Sequence, residues 1–551
     1  MILPTQNPRN FVMEIRETLL RSMQQREKDV MNWRALFYAG ATIDQDAPAI
    51  ANIITSRIRT QAGNLFSPDN LTFRLEFDPN FPIEILQWAS AIGSDLSRKL
   101  RAADADLEFG DAVEAALIDG SCFGQLDWDG EQFACDTIMH PAVGVLNERA
   151  KGLHEAGQDA ILVRYAMPIE ALKVWLRKFK RAENVADVFD SKQQDAARDW
   201  NEMGESTRVV LGLNQPIGSA SPSQAGFVNL LPRMPHVPSA GMAGREVTID
   251  AIWLKDTKRD DWATVYVIDG NETIGTDIWR NCLGVKGCHP YFLINPFPVK
   301  GNIFGHSMVA FLAEQQNFLR KHSAGMDHIM DMREDPAHVG FSAIQTSETY
   351  RQALRSPGGW VTETGPGAKV QPFAPEFPSE LIPALELVAN YASDAANQPP
   401  VSQGRGESGV RAGAHAETLL TAASARERRP AHRTVRQCGD MGHLALEILK
   451  VKCAEELPGN ITFDTLPEGY HVLCNGYTAS PLFAMEHRAI LNDMLRAGAI
   501  GPEEYLHGLN PQGLDMMLAA LKNREQQQAE LVRSLPPEER VKLIAKGGRK
   551  R

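Results

Sequence analysis

Three glycines, Gly404, Gly406 and Gly409, have the G-x-G-x-x-G spacing with which a turn can wrap a pyrophosphate. That chemistry needs a strand before the glycines and a helix after them, so that the phosphate meets the helix N-terminus. Here an apolar-periodic helix, 378–397, precedes them and is stopped by Pro399 and Pro400, with no βαβ pattern around it. The sequence therefore speaks against a dinucleotide site and leaves a Gly-, Ser- and Arg-rich loop with the composition of a linker. Cys282, Cys288 and His289 lie close enough to suggest zinc, but no second ligand pair has suitable spacing. Asp127 and Asp129 flank Trp128 and are too few for a calcium loop, so they read as solvated turn residues. No G-x-x-x-x-G-K-[ST], H-E-x-x-H, G-x-S-x-G or paired CxxC occurs. Catalytic, metal-binding and cofactor-binding residues are thus expected to be none, and the chain is read as not an enzyme.

Composition narrows the class. The 551 residues, 43% hydrophobic and 23% charged, suffice for two to four ordinary cores. No apolar run has the length of a membrane span and the start lacks a signal-peptide pattern, so a soluble protein made in a cytosol is expected, with no membrane partner. The seven cysteines sit mostly in apolar periodic segments and read as small buried hydrophobes. A net charge of −12 argues against a sequence-specific DNA-binding domain, yet suits a wall past which DNA must slide without being held. The tail from Arg540 to Arg551 carries six basic side chains.

The elements that must position these residues are mostly helical. Helices are expected over 8–40, with Phe11, Ile15, Leu19 and Met23 on one face, and over 47–64, 82–100 and 107–118. Residues 71–77 alternate as a half-buried strand, and Asp129-Gly130 marks a hairpin. A helix is expected from Pro168 at its favoured first position, then a Pro-, Gly- and Ser-rich excursion over 214–244, then a hairpin of 247–254 with 263–268. A long helix opened by Gly305, His306 and Ser307 carries Met308, Phe311, Leu312, Gln315, Phe318, Leu319 and His322 as one stripe. Helical periodicity is lost across 335–375 and returns at 378–397. The last third reads as helices over 432–456, 481–497 and 502–509, with a strand pair near 461–473. The order is long helix, small insertion, long helix, mobile loop, long helix. A fold of the α+β class, mainly helical, is expected.

Three segments carry a resemblance: ALIDGSCFGQLDWDGEQFACDTIMHP, FPVKGNIFGHSMVAFLAEQQNFLRKHSAG with its G-x-x-x-G-x-S, and ESGVRAGAHAETLLTAASAR. In that order the chain resembles the portal, or head-to-tail connector, protein of tailed bacteriophages, most closely the short-tailed type. The excursion at 214–244 has no counterpart in the match. The resemblance implies a portal-type fold with wing, stem, clip and crown regions, in a ring of twelve subunits around a DNA channel at one capsid vertex. It implies a wing over 1–300, a first stem helix over 301–334, a clip over 335–375 and a second stem helix over 376–398. A tunnel loop over 399–413 follows, then wing helices and short strands over 414–480, and a crown with the basic tail over 481–551. Implied partners are further copies of the chain, double-stranded DNA without sequence specificity, the terminase motor, the tail adaptor, and capsid and scaffold proteins. The implied location is the virion, at the portal vertex, after assembly in the host cytoplasm. Stem packing would fall to Met308, Phe311, Leu312, Phe318 and Leu319, and DNA contact in the loop to Gln403, Arg405 and Arg411. Clip contacts would fall to Tyr350, Arg351, Arg355 and Trp360, since Arg and aromatic residues among turns mark interfaces. The alternative is a phosphate- or nucleotide-handling enzyme that uses the Gly-rich loop.

Overall fold

The computed structural model describes residues 2–4, 7–39, 52–68, 71–77, 83–155, 157–168, 246–268, 272–275, 279–335, 337–340, 360–362, 371–373, 381–395, 427–453, 456–457, 461–463, 469–476 and 481–509, with short pieces at 172, 175–176, 352, 356, 516–518, 520–524 and 526–527. The excursion at 214–244 and the basic tail lie outside the described residues.

Helix α1 (Pro8–Ala39) buries Val12, Ile15, Leu19 and Met23 in its first half and Val30, Leu36 and Phe37 in its second. The expected face is rotated slightly, with Val12 rather than Phe11 fully inside. Helix α2 (Ile53–Leu65) starts at Asn52, whose side chain accepts from Ile54 N at 3.0 Å. The same amide donates to Leu36 O at 2.9 Å and Phe37 O at 2.6 Å, so one cap residue also docks α2 on the end of α1. Strand β1 (Phe73–Phe77) precedes α3 (Ile83–Ala102) and α4 (Ala105–Asp119).

Strands β2 (Cys122–Trp128) and β3 (Phe133–Met139) form the expected hairpin, closed by Asp129, whose carboxylate accepts from Glu131 N and Gln132 N at 2.8 Å each. After β4 (Val143–Val145) comes β5 (Ala160–Pro168). Pro168 therefore ends a strand, paired with Glu246, and the helical residues of the expected helix, Leu172, Trp175 and Leu176, follow it. A proline lacking an N–H fits a strand end, so the chain can leave the sheet there and turn into helix. Strands β6 (Glu246–Asp256), β7 (Asp261–Ile268) and β8 (Glu272–Ile274) complete an antiparallel sheet of order β4-β5-β6-β7-β8. Its central strands are apolar on both faces. Ala160, Leu162, Ile252, Leu254, Val265 and Val267 meet α1, while Ile161, Val163, Tyr165, Trp253 and Tyr266 join the main core. Strand alternation thus produces two cores from one sheet.

Strand β9 (Tyr291–Ile294) adds to β2, giving the order β3-β2-β9. The two larger sheets are joined by buried hydroxyls. Tyr165 donates to Gln125 Oε1 at 2.5 Å and shares a 2.9 Å bond with the Tyr291 hydroxyl, which also accepts from Trp253 Nε1 at 3.1 Å. Burial pushes the Tyr165 phenol well above its usual range, so it stays neutral and free to donate.

Helix α5 (Met308–Glu334) leads into β10 (Ala337–Gly340), which pairs with β11 (Trp360–Thr362) in parallel and with β12 (Gln371–Phe373) antiparallel. Helix α6 (Leu381–Ala395) follows. Helix α7 (Arg428–Lys452) is buried among β2, β9, β15 (Tyr470–Cys474), α2 and α3. A strand pair was expected within 461–473. Instead β14 (Ile461–Thr462) pairs with β13 (Glu456–Leu457), and β15 pairs antiparallel with β1. Tyr470, Val472 and Cys474 thereby meet the inward residues of β1. Helix α8 (Pro481–Arg496) packs on the short helix Pro502–Leu509 and on α2. The described chain is a mixture of helix and sheet.

Five cysteines are buried as expected, at positions 122, 135, 438, 453 and 474, but Cys282 is exposed and Cys288 half-buried, because their loop runs along the surface. Glu427, just before α7, is 3% exposed and bonded to Asn64 at 3.2 Å. Burial pushes its carboxyl up to about 7, with the Asn64 bond opposing. A carboxyl whose folded pKa exceeds its unfolded value favours the folded state while protonated and loses that preference as pH rises. Glu427→Gln should therefore match the parent near pH 4.5, become progressively the more stable form as pH rises towards 7, and gain nothing further above that. The relative gain would be at most about 1.4 kcal/mol per pH unit crossed, read by denaturant melts at several pH values. A pH-independent difference between the two proteins would show that Glu427 does not titrate in this range.

Candidate functional site: a helix pair carrying an inserted sheet

Helix α5 begins in a tight junction. Ser307 caps it, accepting from Ala310 N at 3.3 Å, and donates its hydroxyl to the Ile118 carbonyl at the end of α4. Gly120 terminates α4 with φ of +87°, the left-handed value that favours glycine. Gly305 lies directly against it. A Cβ at Gly305 would stand 2.2 Å from Asn295 Oδ1, 2.3 Å from Gly120 O and 2.7 Å from Phe297 O. Asn295, just past β9, donates its side-chain amide to Ile303 O at 2.8 Å and its backbone N–H to Gln437 Oε1 of α7 at 3.0 Å. The small residue after ALID and the second glycine of G-x-x-x-G-x-S are thus two sides of one contact. Gly301, the first glycine, has open space around it but φ of +79°, so it serves conformation rather than packing.

Beneath the junction lies an ion pair. Arg34 of α1, 5% exposed, grips Asp119 of α4 through Nε at 2.9 Å and a terminal nitrogen at 2.5 Å. The bidentate contact keeps the guanidinium charged, and burial pushes the Asp119 carboxyl up while Arg34 opposes that shift. Next to it Arg26 lies 3.6 Å over the Phe304 ring, which also stacks on His140 at 4.3 Å and meets Phe123 edge-on at 6.2 Å. His140 is buried and its pKa is well below the usual imidazole value, first through burial and then through Arg26, so it is neutral at pH 7. Arg34, Asp119, His140 and Phe304 are buried, and Arg26 is mostly so. They fix the angle at which α5 leaves the body.

Beyond the junction α5 packs on α6, α2, α1 and α4. Met308, Leu312 and Leu319 are buried, together with Val309 and Gln316, whose Oε1 accepts from Ile53 N at 3.2 Å. The stripe expected from sequence splits here. Phe311 is 49% exposed and Phe318 36%, each touching a histidine of its own segment, His306 and His322. Met330 of α5 and Ile382, Leu387 and Tyr391 of α6 are also exposed. The helix pair therefore carries apolar side chains on its outer surface, and the three-stranded sheet lies in sequence between its two members.

Of the residues expected to contact partners, Trp360 opens β11 in register with His338. Tyr350, Arg351 and Arg355 lie outside the described residues, as do Gln403, Arg405, Arg411 and the three glycines of the loop. His289 is buried, stacked on His154 at 4.3 Å, and its pKa is well below the usual value through burial. Among the described residues no three His, Cys, Asp or Glu side chains are grouped to hold a metal ion. Among them, too, no helix is long and apolar enough to cross a membrane. The Arg34–Asp119 pair escaped the sequence reading. Its one signal was an arginine on the line of Val30 and Phe37, where an apolar residue belongs.

No family model and no curated protein matches the chain. A solved structure described as "Virion of native gene transfer agent (GTA) particle" contains a chain that is similar over 88% of this chain and 93% of its own, at 11% identity and a TM-score of 0.39. A likeness at that level decides neither fold nor function.

Proposed function

We propose that the chain is a portal subunit: a structural component of a virion that assembles into a ring at a capsid vertex and lets double-stranded DNA pass during packaging and ejection. One observation carries the reading. Two helices that flank an inserted sheet pack on each other and leave Phe311, Phe318, Met330, Ile382, Leu387 and Tyr391 uncovered. A monomer in water gains nothing from such a surface, whereas neighbours in a closed ring cover it in every subunit. On this reading α5 and α6 are the stem, the sheet β10–β12 belongs to the clip that meets the packaging motor and tail adaptor, and the helices after 480 form the crown. The loop with Arg405 and Arg411 borders the channel. The order of the sequence motifs supports the same assignment, and the Gly120–Gly305 contact gives two of them one physical purpose.

The test is the mass and outline of the purified protein. Sedimentation and negative-stain images should give a large closed ring with a central hole, without added nucleotide or metal. Phe318→Glu with Leu387→Glu, both at exposed positions, should keep the circular-dichroism spectrum and melting curve of the parent while shifting the mass toward monomer. A parent that stays between monomer and tetramer across protein concentrations and salt would overturn the proposal.

A further inference from the structure

Helix α7 is enclosed along most of its circumference, and a single face meets solvent. That face carries Arg429, His432, Arg433, Arg436, Asp440 and His443, all exposed except the half-buried Arg433. Three arginines fall on its first turns at spacings of four and three residues, which places them about 6 and 4.5 Å apart along the axis. Among the described residues none of the three forms an ion pair. The Arg433 guanidinium is pushed down, first by its partial burial and then by the charges of Arg429 and Arg436 beside it.

Little local charge answers the row. The first turn of α7 contains no acid. Glu427 sits buried behind it and is partly neutral, and Asp440, one turn after Arg436, interacts with that arginine alone of the three. Cations at a helix start oppose the macrodipole and like charges at this spacing repel, so folding gives no reason for them. The surplus begins before the helix. Between 399 and 436 the chain has arginines at 405, 411, 426, 428, 429, 433 and 436 against glutamates at 407, 417 and 427, in a protein of net charge −12.

We propose that the Arg429–Arg433–Arg436 face of α7 binds the phosphate backbone of duplex DNA without reading bases. Guanidinium forks fit phosphate oxygens, and a row of them about 5 Å apart follows a line of charges spaced a few ångströms apart along a strand. A protein partner is disfavoured by composition. No aliphatic, Phe, Tyr or Trp side chain interrupts the face between Arg429 and His443, and the exposed Val451 lies about four turns beyond Arg436. The centre of a protein interface is rich in such residues. The site deepens the channel reading by naming a phosphate contact outside the tunnel loop, and it does not need a ring to be measured.

The experiment uses the full chain and a fluorescent duplex of mixed sequence, with binding followed by anisotropy as salt is raised. Parallel sedimentation reports the assembly state. The parent should bind with a steep salt dependence. Arg429→Ala/Arg433→Ala/Arg436→Ala should bind about 10- to 100-fold more weakly at low salt, and its log–log salt slope should be shallower by about 2.7, or 0.9 for each lost phosphate contact. The corresponding triple lysine variant should restore most of the slope while circular dichroism stays unchanged in all three proteins. A parent that does not bind, or a triple alanine variant with the parental slope, overturns the inference. So does a triple alanine variant that changes the assembly mass while binding DNA as the parent does, because the face would then meet a second copy. If the parent is monomeric yet loses DNA affinity with the arginines, the α7 site stands and the ring reading falls.

Discussion

Asp119→Ala lowers the stability of the folded chain by about 3–5 kcal/mol, because it leaves the guanidinium of Arg34 charged, buried and unpaired. Desolvating an ion costs more than its interactions return unless a partner answers it, and Asp119 supplies both oxygens of a bidentate contact. Arg34→Met strands the opposite charge, although Asp119 can protonate to relieve it, since burial already pushes its carboxyl up. The double variant Arg34→Met/Asp119→Leu should recover much of the loss by replacing the pair with apolar volume. The measurement is a double-mutant cycle of denaturation midpoints. Losses that simply add in the double variant would show that the two residues do not act as a pair. Because α1 and α4 both pack on α5 near this point, the single variants should also assemble poorly even where they remain folded.

Gly305→Ala should cost about 3 kcal/mol, at the upper end of what added volume in a packed site costs. Its new methyl would meet two backbone carbonyls and a buried amide oxygen, none of which is the free end of a flexible side chain. Relief requires α5 to move away from α4, which breaks the Ser307 bond to Ile118 O. Gly301→Ala makes the comparison, since only its positive φ is strained, at about 1–2 kcal/mol. Hydrogen exchange over residues 308–312 should accelerate in Gly305→Ala and stay near parental rates in Gly301→Ala. Equal melting midpoints and equal exchange for the two variants would mean that the close contact at Gly305 contributes nothing.

Much of this architecture was legible in the sequence because it depends on short-range periodicity. The apolar spacing of α1, α3, α4 and α5 marks those helices, and the alternation of FRLEF marks β1. Asp129 and Gly130 announce the β2–β3 hairpin, and Gly305 to Ser307 announces the start of α5. The same signals locate an insertion between two long helices, which is the basis of the functional proposal.

Tertiary structure decided what local pattern cannot carry. The partner of Tyr470–Cys474 is Phe73–Phe77, from the other end of the chain, and not the nearby residues at 461–462. A strand's alternation gives its faces but does not name its neighbour, which is set by which edges the packed helices leave open. Pro168 became a strand end, with helical residues following from Leu172, because β6 was present to pair with it. The stripe on α5 divided because α1, α2 and α4 cover only Met308, Leu312 and Leu319, leaving Phe311 and Phe318 to solvent. Arg34 stands at a position of α1 that periodicity assigns to the core. It is tolerated there because the end of α4 brings Asp119 within hydrogen-bond distance, and a buried charge is stable only where the fold supplies its counter-charge.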